Sequence, residues 1–236
     1  MDDVKDISQL AIENVADFLD EEDVLFWAHL FVRLSEIENA EKLFRRIKNA
    51  RSKNQVLDYL AEARYALIFY GLGFSVKYEP LGYAGPDLKV ERDGAQAVVE
   101  VKNCPPNELD SELEEFDEEE DELETLPEIG DLMHDSDAAY LDIANKFRQI
   151  KKEQAIIAIW SDRITRMEIE FDLACRRMVS EEFKPENLLF ILYGSQEVNI
   201  SKQQQLFVYP MEKLKNPFSK WSEDLEGIFV NHLLTS

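Results

Sequence analysis

Asp87, Glu100 and Lys102 fall within one short run, GPDLKVERDGAQAVVEVKN. Two carboxylates with a lysine beside them suit the holding of a divalent cation and the cleavage of a phosphodiester. Hard cations such as Mg²⁺ or Mn²⁺ take oxygen ligands from one or two carboxylates, phosphate and water. A neighbouring ammonium orients or helps deprotonate an attacking water, or stabilises charge on the phosphate.

The elements that must position these residues are legible from the turn. Asp93-Gly94 lies between two runs of alternating character, a strong short-range signal for a two-residue hairpin. That register sets Arg92 against Ala95, Val90 against Ala97, Leu88 against Val99 and Asp87 against Glu100. Side chains alternate along a strand. One face then carries Leu88, Val90, Ala97, Val99 and Val101. The other carries Asp87, Lys89, Glu91, Gln96, Val98, Glu100 and Lys102. A slip of one residue would scramble both faces. Opposed Cβ atoms in such a pair stand about 5 Å apart. Asp87 and Glu100 would repel at that separation unless a cation lay between them. Lys102 projects on the same side as Glu100, and the carbonyl of Val101 between them is a further candidate ligand. The competing reading is a surface hairpin with a solvated charged face.

The preceding segment, NQVLDYLAEARYALIFYGLGFSVKYEP, reads as a helix followed by a strand. Leu57, Leu60, Ala61, Arg64, Leu67 and Ile68 include apolar residues at i, i+3 and i+4, and Gly71 and Gly73 supply the stop. With Pro86-Asp87 and Glu100-Val101-Lys102 as literal signature, residues 54–102 resemble the PD-(D/E)xK nuclease superfamily, and the likeness extends over roughly 54–160. The resemblance implies a restriction-endonuclease-like α/β core of order αβββαβ, with a mixed central sheet flanked by helices. It implies metal-dependent hydrolysis of DNA or RNA, with Mg²⁺ or Mn²⁺ held by Asp87, Glu100 and Glu62, the last at the position of the superfamily's helical acid. Many such nucleases act as dimers. Others have lost activity, so the alternative is an inactive protein of this fold acting in partner binding or regulation. Tyr65, Ala66 and Phe69 stand at helical-neighbour spacings from Glu62. Shielding by them would raise its pKa unless a cation or Lys102 compensates. The competing reading of Glu62 is an exposed helix glutamate.

The chain of 236 residues is 45% hydrophobic, enough for one good core with a small accessory unit. No apolar run is long enough to cross a membrane, and the N-terminus, MDDVKD, does not read as a leader. Cys104 and Cys175 form no disulfide framework or metal-ligand spacing, and a reducing cytoplasm is the expected setting. His29, His134 and His232 are scattered. The formal charge of −23 opposes nucleic-acid binding, but sixteen acids lie within residues 108–137, which leaves −7 on the other 206 residues. That acidic segment has little capacity to fold alone. It begins shortly after Lys102, and a polyanion mimic covering the site is one reading; a solvated loop is the other.

The remaining chain divides into a helical region over 1–53, the nuclease-like core over 54–200 and an extension over 201–236. Helices are predicted near 4–19 and again after Asp20, which is suited to cap the second. Phe26, Trp27, Leu30, Phe31 and Leu34 give that second helix an apolar stripe. Arg45, Arg46, Lys48, Arg51 and Lys53 form a basic cluster, with Arg45 and Arg46 candidate contacts to nucleic acid. Lys146 and Lys151 are further candidates, on a helix predicted from Asp137 to about Gln154. AIIAIW, LLFILYG and QLFVYP read as buried strands, the region 164–182 as a helix, and Gly194-Ser195 as a turn. A packing helix is expected near Trp221, Phe229 and Leu233. No P-loop or dinucleotide fingerprint is present.

Overall fold

A computed structural model describes residues 2–82, 85–104, 140–141, 153–161, 173–177, 187–195, 206–211 and 214–228. The acidic segment 108–137, Lys146, Lys151, Phe229 and Leu233 lie outside these residues, as do most of the predicted helices at 137–154 and 164–182.

Four helices open the chain: α1 (Asp2–Ala16), α2 (Glu21–Leu34), α3 (Ala40–Lys48) and α4 (Lys53–Gly71). Asp20 caps α2 as expected, its carboxylate accepting from the Asp23 amide at 2.9 Å. Ser52 caps α4 in the same way through the Gln55 amide. The aromatic stripe of α2 is core, with Trp27, Leu30, Phe31 and Leu34 all buried. The periodicity of α4 suggests one apolar stripe, yet every side chain from Leu60 to Phe69 is buried. The cause is tertiary: α2 and α3 pack on one side of α4 and strands of the sheet on another.

The sheet has six strands in sequence order: β1 (Ser75–Tyr78), β2 (Leu88–Arg92), β3 (Ala95–Cys104), β4 (Ala155–Ser161), β5 (Leu188–Ser195) and β6 (Leu206–Pro210). β1, β2 and β3 form an antiparallel meander, β3, β4 and β5 run parallel, and β6 returns antiparallel. The fold is therefore α/β with a mixed sheet. Asp93 and Gly94 both have positive φ, as a two-residue turn with the strand twist requires. The β2–β3 register is Leu88 to Val99, Val90 to Ala97 and Arg92 to Ala95, as the turn dictates.

Each face of the sheet carries its own apolar cluster. Leu88, Val90, Val99 and Val101 join the helices α1–α4 and α5 (Phe218–Leu225) in the larger one. Val98, Cys104, Ile157 and Ile159 join Ala174 and Cys175, from helical residues 173–177, in the smaller. Trp221 of α5 is fully buried against Phe74. Gly194 and Ser195 belong to β5 instead of a turn. A Cβ on Gly194 would stand 2.7 Å from the Trp160 ring, so the glycine is there to admit tryptophan. Among the described residues, no helix is long and apolar enough to cross a membrane.

Candidate active site

β3 runs through the middle of the site. Glu100 and Lys102 lie on its smaller-cluster face, in register with Ile157 and Ile159 of β4. Glu100 is buried at 4% exposure and Lys102 is half-buried. Among the described residues Lys102 makes no salt bridge. The β2–β3 ladder ends at Leu88 and Val99, one residue short of Asp87 and Glu100. Asp87 is half-buried at the mouth of β2. Its Oδ2 accepts from the Val101 amide at 2.8 Å, where a β2 carbonyl would otherwise be the partner. The N–H and C=O of one strand residue point to the same side. The Val101 carbonyl is thus directed to the same edge of β3 as its amide.

Glu62 sits elsewhere. It is buried on α4, on the larger-cluster face, and is shielded as its neighbours suggest. Its compensating cation is Arg46 of α3. Arg46 Nη1 lies 3.4 Å from Glu62 Oε2 and donates at 2.9 Å to Glu79 Oε1 and at 2.7 Å to the Tyr78 hydroxyl. The Tyr78 hydroxyl in turn donates to Glu62 Oε2 at 2.5 Å. Burial alone would pull the Arg46 pKa down, but Glu62 and Tyr78 outweigh it and hold the guanidinium above its usual value. Burial, then Glu62, pushes the Tyr78 phenol far above its usual range. Tyr78 is therefore a fixed donor and Arg46 a fixed cation.

The two groups meet at one end of the sheet. The Glu79 amide, following β1, donates at 2.7 Å to the Asp87 carbonyl. The structure thus joins Asp87 to the β3 backbone between Glu100 and Lys102, and Arg46 to Glu62. Among the described residues no three His, Cys, Asp or Glu side chains gather as a metal-holding group. The local donor set of Asp87, Glu100 and the Val101 carbonyl is nevertheless all oxygen, which fits a hard divalent cation. Arg45, exposed beside Arg46, lines a cleft with Arg51 and Tyr59.

Asn103 escaped the sequence reading. It follows Lys102 on the opposite face of β3, in register with Trp160, and is buried at 3% exposure. Among the described residues neither its Oδ1 nor its Nδ2 has a hydrogen-bond partner. Sequence offered no signal for this, since an asparagine near a strand end reads as the start of a loop.

A comparison of the chain with protein-family models, curated proteins and solved structures found no match.

Proposed function

We propose that the chain is a metal-dependent nuclease built on a restriction-endonuclease-like core. The observation that carries this reading is the hydrogen bond from the Val101 amide to Asp87, which fixes one carboxylate beside the strand that bears Glu100 and Lys102. Asp87, Glu100 and the Val101 carbonyl would hold Mg²⁺ or Mn²⁺. When bound, such an ion supplies charge neutralisation at the phosphate and a more acidic water. Lys102 orients that water and stabilises charge developing on the phosphate oxygens. The Val101 amide holds Asp87 in place without neutralising it. Glu62, with its charge partnered by Arg46, acts from the other face as a positioning residue. The antiparallel meander followed by a parallel strand, with a helix before it, supports the core assignment.

One observation favours a second reading, an inactive protein of this fold that binds a partner: the helical acid Glu62 is already engaged by Arg46 and Tyr78. Isothermal titration with Mn²⁺ separates the two. The nuclease reading expects one specific site in the wild type, lost in Glu100→Gln. No binding to the wild type would leave the second reading.

A further inference from the structure

The chain is strongly acidic, yet six of its 26 cations fall within residues 42–57, which contain no acid. The structure folds part of this run around a cleft of about 400 Å³, lined by Arg45, Arg46, Asn49, Arg51, Gln55 and Tyr59. Local hydrogen bonds set its shape. Asn49 Nδ2 donates to the Arg45 carbonyl at 2.7 Å, closing the end of α3. The Arg51 amide donates to Gln55 Oε1 at 2.8 Å, tying the link between helices to α4.

The three arginines differ in what they have left to offer. Arg46 is committed to Glu62 and Glu79, and its guanidinium lies over the Tyr59 ring at 4.7 Å. It is the floor of the cleft. Arg45 and Arg51 are exposed, and neither makes a salt bridge among the described residues. Asp58, exposed on α4 next to Tyr59, is the first acid after the run. Two exposed guanidinium groups over a concave floor form a site for a tetrahedral anion, because the planar fork of arginine matches paired phosphate oxygens.

The geometry points to this cleft as a second nucleic-acid site, in which Arg45 and Arg51 hold a backbone phosphodiester apart from the reacting one. Its ligand class rests on the nuclease reading; its anion chemistry does not. Arg46 links the two regions, facing the cleft on one side and Glu62 on the other. The floor of the cleft connects to Asp87 through Glu79, whose carboxylate accepts from Arg46 and whose amide donates to the Asp87 carbonyl. Arg46, a candidate contact in the sequence, becomes the support for the contacts made by Arg45 and Arg51.

The test is fluorescence anisotropy with a labelled single-stranded thymidine 12-mer, at low salt with EDTA present, so that no cleavage or metal site contributes. The full-length protein is compared with Arg45→Glu/Arg51→Glu and with Lys215→Glu/Lys220→Glu, a pair of exposed residues on and beside α5 with the same charge change. The expected result is at least tenfold weaker binding in the first variant, less than twofold in the second, and a shallower salt dependence in the first. Equal losses in both, or none in either, overturn the assignment. Complete displacement by millimolar inorganic phosphate makes it a free-phosphate site, and displacement by polyglutamate of equal length makes it an acidic-peptide site; either overturns the nucleic-acid assignment. Wild-type binding in EDTA that persists when Mn²⁺-dependent cleavage is absent leaves the cleft standing and removes only the nuclease reading.

Discussion

The Asp87 carboxylate takes the hydrogen bond of the Val101 amide, at the point where the β2–β3 ladder runs out. A side chain thus replaces a backbone carbonyl at the mouth of the hairpin. This one bond ties the acid of one strand to the acid and lysine of the next.

Asp87 therefore has a structural and a chemical role, and two substitutions separate them. Asp87→Asn keeps an acceptor for Val101 and removes the charge. Its stability should stay within about 0.5 kcal/mol of wild type while divalent-dependent cleavage is lost. Asp87→Ala orphans the amide and should cost a further ~1 kcal/mol or more. Urea unfolding checks both; equal stability of the two variants would contradict the bond's role.

How much of this was legible in the sequence depended on range. The hairpin register was readable because a dipeptide turn and a strict alternation agree, and both are local. The pairing of Arg46 with Glu62 was not, because it joins two helices through a fold that the composition does not encode. The basic run read as one phosphate-contacting cluster, yet folding spends its central arginine inward. Gly194 read as a turn because glycine is ambiguous without the Trp160 ring that packs over it. The helix α4 showed one apolar stripe where two helices and the sheet bury every residue from Leu60 to Phe69.

The Arg46–Glu62 pair gives a stability prediction. Arg46→Ala leaves two buried carboxylates, Glu62 and Glu79, without their cation, and should cost about 3 kcal/mol or more. Adding Glu62→Gln removes one of those charges, so the double variant should recover part of the loss. Additive losses in urea unfolding would show that the pair is not coupled.

Asn103 carries the opposite expectation. A buried amide with neither atom bonded costs roughly 1–3 kcal/mol. Asn103→Leu should therefore stabilise the protein, visible as a higher urea midpoint. A destabilised variant would mean that the amide has a packing role instead.

Tyr65 and Tyr78 predict alkaline behaviour. Burial, then Tyr193, raises the Tyr65 phenol, which donates to the Ile159 carbonyl. Burial, then Glu62, raises Tyr78. Above about pH 10 the unfolded phenols lose their protons while the folded ones keep them. The unfolded state then binds fewer protons, so stability falls as pH rises, by about 1.4 kcal/mol per pH unit for each tyrosine. Below pH 10 neither contributes a slope. Urea unfolding from pH 9 to 11 should show this decline, and each Phe variant should remove its share. A flat profile would contradict the buried, protonated state of both.

The proposal is that Glu100 and Lys102 serve one reaction at the end of β3. It is tested most directly by Mn²⁺-dependent cleavage of DNA and RNA, with wild type compared against Lys102→Met. The wild type should cleave at least one of the two with a divalent cation, and EDTA should abolish that cleavage. The variant should cleave at least a hundredfold more slowly while keeping its affinity for Mn²⁺. Cleavage that survives the loss of Lys102, or a wild type that cuts neither nucleic acid with any divalent cation, would contradict it.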